Sequence, residues 1–174
     1  MPEAELISDG DQNVGAFALA GVGHCYFPKL RKVGAFAFLN CPLTTLNEEN
    51  FPVLEEVGDS SFAGCPVERL SLPLLEKIGE GGFSTCPVSQ ANLPNLLTVG
   101  ANGFAFCKYL KKFSAKKLQE VGMGCFSSCP LLSSIDCNLE PENFICSVPY
   151  DECEACPSCY NDIGLCLQRG RSGQ

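Results

Sequence analysis

The sequence of 174 residues predicts an α/β solenoid: short parallel strands stacked about 22 residues apart, turns and short helical pieces on the convex side, and a Cys-rich C-terminal cap. Three observations predict it. A Val/Ile-Gly pair recurs at Val14-Gly15, Val33-Gly34, Val57-Gly58, Ile78-Gly79, Val99-Gly100 and Val121-Gly122, with glycine spacings of 19, 24, 21, 21 and 22. Two nearly fixed columns follow each glycine: Leu19, Phe38, Phe62, Phe83, Phe104 and Phe126 at four residues, and Val22, Cys41, Cys65, Cys86, Cys107 and Cys129 at seven. Ahead of the glycine stand FPKLRKVG, FPVLEEVG, LPLLEKIG, LPNLLTVG and AKKLQEVG, each with a leucine at the same offset. A period of this length with leucine at fixed positions marks a leucine-rich-repeat solenoid, whose units cannot bury their apolar edge alone and therefore stack on one another.

Residues 1–13 read as an N-terminal lead-in, 14–139 as the solenoid of about five to six repeats, and 140–174 as a Cys-rich cap or tail. The first repeat lacks its cysteine and starts without a recognisable cap, as it would in a fragment of a longer precursor. In the later repeats the strand is predicted after the cysteine. Alternation sends Leu70 and Leu72, Ala91 and Leu93, Phe113 and Ala115, and Ile135 and Cys137 inward. The residues between them line the concave sheet, the surface on which solenoids commonly hold partners: Thr45, Asn47, Arg69, Ser71, Gln90, Asn92, Lys112, Ser114, Lys116, Ser134 and Asp136. A register slip of one residue would exchange all of them with core. The LPxL phrase turns the corner, because proline cannot donate to a strand ladder. Glycine then permits a second bend, and the phenylalanine behind it fills the wedge between layers.

The phrase LPxLxxIGxxxFxxC resembles the BspA-type leucine-rich repeat, also called the TpLRR class, over roughly residues 14 to 137. The Gly, Phe and Cys columns carry the resemblance; in the strand Ala91 and Ala115 replace the expected aliphatics. It implies a right-handed curved solenoid, a non-enzymatic role in protein binding or surface adhesion, and display outside the cell against a host or extracellular-matrix surface.

The 13 cysteines fall into two kinds. Equivalent side chains of stacked repeats lie about 4.8 Å apart and point the same way, whereas a disulfide needs converging Cβ atoms about 3.5 to 4.5 Å apart. Cys41, Cys65, Cys86, Cys107 and Cys129 are therefore expected to be a reduced, buried ladder of small apolar donors. Cys25 and Cys125 stand outside both sets and are expected to pack. The six of the tail, Cys137, Cys146, Cys153, Cys156, Cys159 and Cys166, lie beyond the repeat, where disulfides would staple a segment too short for its own core. Alternatively CEACPSC with Cys166 offers zinc four thiols, Cys153, Cys156, Cys159 and Cys166.

Nothing in the sequence assembles a catalytic site, and no cofactor is predicted. His24 is the sole histidine, and in an extended segment Cys25 would face away from it. Glu55, Glu56, Glu76, Glu80 and Glu120 recur beside the glycine bend as a solvated rim rather than as paired acids. GVGH and GEGG lack the context of a phosphate loop. A net charge of −8 argues against nucleic acid. One local exception is the basic band Lys108, Lys111, Lys112, Lys116 and Lys117, suited to an acidic partner or a sulfated glycan. The acidic first residues show no secretory signal, and no apolar run approaches a membrane span. The expected partner is thus a protein or glycan met by a monomer at the cell surface or outside the cell; the alternative is a cytoplasmic interaction scaffold whose tail binds zinc or stays reduced.

Overall fold

Each repeat crosses two parallel sheets, because its apolar residues come as one alternating strand and one isolated Val or Ile. The structure, a computed structural model describing residues 25–139, forms β1 (Lys32–Val33), β2 (Thr45–Asn47), β3 (Glu56–Val57), β4 (Arg69–Ser71), β5 (Lys77–Ile78), β6 (Gln90–Asn92), β7 (Thr98–Val99), β8 (Lys112–Ala115), β9 (Glu120–Val121) and β10 (Ser134–Cys137). The longer strands stack as β10-β8-β6-β4-β2 and the two-residue strands as β1-β3-β5-β7-β9, all parallel. Together they make the solenoid that the repeat predicts.

Register follows the columns. Leu46, Leu70, Ala91, Phe113 and Ile135 align across the first sheet, all buried. The small Ala91 lies beside the large Phe113, which restores volume that Ala91 lacks. Behind the glycines the rings stack face to face at 5.1 Å (Phe38 and Phe62), 5.5 Å (Phe62 and Phe83), 5.5 Å (Phe83 and Phe104) and 5.9 Å (Phe104 and Phe126). Phe51 and Phe113 meet this stack edge-on. Such contacts add about 0.5–1.5 kcal/mol each to simple burial.

Among the described residues the chain forms turns where the sequence suggested short helical pieces. Backbone sign explains the difference. Two residues after each glycine the φ is positive, at Phe36, Ser60, Gly81, Asn102 and Gly124, and again at six, at Asn40, Gly64, Thr85, Phe106 and Ser128. A left-handed residue every four positions stops a right-handed helix from propagating. Alternate amides instead reach the next repeat: Ser60 N–H bonds Glu80 O at 2.7 Å, Phe62 N–H bonds Gly82 O at 3.0 Å and Gly64 N–H bonds Ser84 O at 2.9 Å.

The glycine column itself has a different cause from the bend expected of it. A Cβ on Gly79 would lie 2.7 Å from Asp59 N and 2.8 Å from Gly58 C, and one on Gly100 would lie 2.6 Å from Glu80 N. Successive repeats approach through this column backbone to backbone, which excludes any side chain. The long spacing before Gly58 is absorbed outside the ladders, in a turn where Asn50 Nδ2–H bonds Thr45 O at 2.6 Å and Asn47 N–H bonds Asn50 Oδ1 at 2.8 Å.

Candidate functional site

The outward positions of the longer-stranded sheet form two cross-strand rows. Thr45, Arg69, Gln90, Lys112 and Ser134 are aligned in one; Asn47, Ser71, Asn92, Ser114 and Asp136 in the other. Alternation places these residues outward because their neighbours fill the core, and pairing on both sides fixes the inner backbones. The rows differ chemically. Arg69, Gln90 and Lys112 are exposed and form no side-chain hydrogen bond or ion pair among the described residues. They offer a guanidinium, an amide and an ammonium about 4.8 Å apart from strand to strand.

In the second row some groups are already engaged. Asn47 Oδ1 accepts from Glu49 N–H at 3.0 Å, so this side chain shapes the turn after β2. Ser114 Oγ–H donates to Asp136 Oδ2 at 3.3 Å, and Lys116 Nζ lies 3.4 Å from the same oxygen. Ser71 and Asn92 remain exposed.

The basic band divides as well. Lys116 is held by Asp136 and Lys117 donates to Asn95 Oδ1 at 2.7 Å. Lys108, Lys111 and Lys112 are exposed without an ion pair among the described residues. On the opposite sheet, Arg31 pairs with Glu55 at 2.8 Å, and Glu56 faces Lys32 at 3.1 Å and Lys77 at 3.9 Å, over a shallow groove of about 460 Å³. These pairs are solvent-exposed and individually contribute about 0–1 kcal/mol.

The thiols of the repeat point at backbone. Cys65 Sγ–H donates to Phe38 O at 3.0 Å, Cys86 to Phe62 O at 3.1 Å, Cys107 to Phe83 O at 3.2 Å and Cys129 to Phe104 O at 3.1 Å. Within a repeat the cysteine N–H bonds the same column of carbonyls, as Cys65 N–H does to Phe62 O at 3.1 Å. Each such carbonyl therefore serves both its own repeat and the next, and a compact donor is needed to reach it. Cys41, Cys65, Cys86, Cys107, Cys125 and Cys129 are buried and Cys25 and Cys137 half-buried, and among the described residues Cys65, Cys86, Cys107 and Cys125 form no disulfide. Burial pushes the Cys65 thiol up to about 12 and Cys25 up to about 11, the latter helped by neighbouring Cys41. Cys86, Cys107 and Cys125 are driven higher still by burial. Thiols held protonated in this way are poor nucleophiles and poor metal ligands.

Among the described residues no group of three or more His, Cys, Asp or Glu is placed to hold a metal ion. The tail cysteines Cys146, Cys153, Cys156, Cys159 and Cys166, assigned above to staples or zinc, lie outside the described residues, as does His24. Among the described residues no helix is long and apolar enough to cross a membrane. One feature of the surface carried no sequence signal: a groove of about 330 Å³ lined by Thr85, Cys86, Pro87, Phe106, Lys108 and Tyr109. Phe106 stands in a column that elsewhere holds Asn40, Gly64, Thr85 and Ser128, and it is 52% exposed.

Comparison with known families matches the BspA type leucine rich repeat region, in 6 copies over residues 31–153. No curated protein and no solved structure matches the chain.

Proposed function

We propose that this chain, which belongs to the BspA type leucine-rich repeat family, is a non-enzymatic protein-binding or adhesion module that takes its partner on the concave face of the longer-stranded sheet. Family membership supports a protein-interaction or adhesion role, and repeats of this type are often found on surface or secreted proteins. The observation that carries the assignment of the face is the row Arg69, Gln90 and Lys112. Long polar side chains stand there on a rigid sheet, exposed and without partners among the described residues. On the opposite sheet Lys32, Glu56 and Lys77 largely satisfy one another. A preorganised array of polar groups on paired strands binds with little ordering cost. The partner read from it is an acidic protein surface, such as an extracellular-matrix protein exposed on a host.

The test compares two charge-reversed chains for retention on immobilised extracellular-matrix proteins. Arg69→Glu with Lys112→Glu should lower retention by about tenfold or more, whereas Lys32→Glu with Lys77→Glu should leave it unchanged. Equal loss in both variants would move the binding function off this face.

A further inference from the structure

Phe106 breaks two rules at once. It sits at φ 60°, a conformation that costs a bulky residue free energy, and it leaves half of its ring in water. Its column elsewhere holds Asn40, Gly64, Thr85 and Ser128, mostly small or polar residues that tolerate that backbone better. Tyr109, 59% exposed, breaks the repeat in another way. The strand begins four residues after Cys41, Cys65 and Cys86 but five after Cys107 and Cys129, and Tyr109 and Leu131 stand at matching places in these longer connections. Leu131 is also exposed, at 46%. Both departures open onto the same groove, whose walls include Pro87 and whose cation is Lys108.

The lining restricts what can enter. Its polar groups are the Lys108 ammonium, the Tyr109 hydroxyl and the Thr85 hydroxyl, and Thr85 Oγ1 already donates to Ser84 O at 2.6 Å. A sugar would lose water from several hydroxyls and find few replacements. A proline ring needs none, and a polyproline II segment arrives already extended, with little further ordering to lose on aromatic walls. Charge supplies the second half of the specification. Lys108 has no ion pair among the described residues, on a chain whose net charge is −8. An isolated cationic site on an acidic protein selects an anionic partner and speeds its encounter.

The geometry points to a second binding site at this corner: the Phe106 and Tyr109 rings grip proline of an extended acidic peptide segment in a partner protein, while Lys108 meets a flanking carboxylate. The site is independent of the strand face, since neither ring belongs to β8 or its neighbours in the sheet.

Fluorescence anisotropy with a labelled synthetic peptide alternating proline and glutamate tests it. That peptide should bind the full chain, and peptides with glutamate alone, or with proline and glutamine, should bind about tenfold more weakly or worse. Phe106→Asn should weaken binding about tenfold while keeping or raising the unfolding midpoint, because asparagine tolerates the left-handed backbone better. Tyr109→Ser should weaken binding equally, and Lys32→Glu on the far sheet should not. Failure of the mixed peptide to bind, wild-type affinity in Phe106→Asn and Tyr109→Ser, or equally tight binding of polyglutamate or a sulfated oligosaccharide would each overturn the proposal.

Discussion

Raising the pH from 8 to 10 should remove a large part of this protein's stability, and the thiol ladder sets the size of the effect. An ordinary thiol ionises near 9.0, the value Cys65, Cys86, Cys107 and Cys125 would have in the unfolded chain; in the folded chain burial lifts Cys65 to about 12 and the other three higher. Below 9 both states are protonated and stability is unaffected. Above 9 the unfolded chain alone loses protons, so each thiol lowers stability until pH reaches its folded pKa. One pH unit above 9, that is about 1.4 kcal/mol per thiol. Four such thiols together take away about 5 to 6 kcal/mol, a large part of the 5–15 kcal/mol typical of a domain. Urea denaturation of the reduced protein at pH 8, 9 and 10 measures it: the midpoint should hold to about 9 and then fall steeply. Cys86→Ala should start less stable but lose about 1 kcal/mol less between 9 and 10. A flat midpoint, or the same alkaline loss in the variant, would mean that these sulfurs are solvated or bridged rather than buried thiols.

Gly100→Ala should cost about 2–4 kcal/mol, since its methyl would meet Glu80 N at 2.6 Å, whereas Gly81→Ala, strained at φ 62° but with Ser60 Oγ 3.1 Å away as its nearest neighbour, should cost about 1 kcal/mol; thermal melts would rank them. Phe83→Ala removes the ring stacked on both Phe62 and Phe104 and should cost about 3–5 kcal/mol, read by chemical denaturation. Mass spectrometry of the native chain before and after alkylation should find Cys41, Cys65, Cys86, Cys107 and Cys129 unmodified but alkylated after unfolding. If disulfides cap the solenoid, the tail cysteines should resist alkylation until reduced; tail thiols free and without zinc would remove both readings of the tail.

Much of the solenoid was legible because stacking repeats the same environment. Leu70, Ala91 and Phe113 share one buried column, so alternation around any of them sets the register for all, and with it the outward rows. The second sheet was not legible: a strand such as Lys77–Ile78 buries a single side chain, too short to show an alternation. Nor were the left-handed columns, since Phe36, Ser60 and Asn102 share a conformation with Gly81 and Gly124 that stacking imposes whatever the residue. The strand-face residues could be placed from sequence, but which of them are free could not. Asn47 looked like any outward polar residue until the turn after β2 was seen to use its side chain. The Phe106 groove was not legible either, because the column of Asn40, Gly64, Thr85 and Ser128 shows neither the left-handed backbone nor the exposure that brings Phe106 beside Tyr109.

The central claim, that the partner sits on the longer-stranded sheet, is tested most directly by hydroxyl-radical footprinting of the chain alone and bound to a retained extracellular-matrix protein. Arg69, Gln90 and Lys112 should lose reactivity on binding while Lys32, Lys77 and Thr98 keep theirs; protection of the second group with the first unchanged would contradict it.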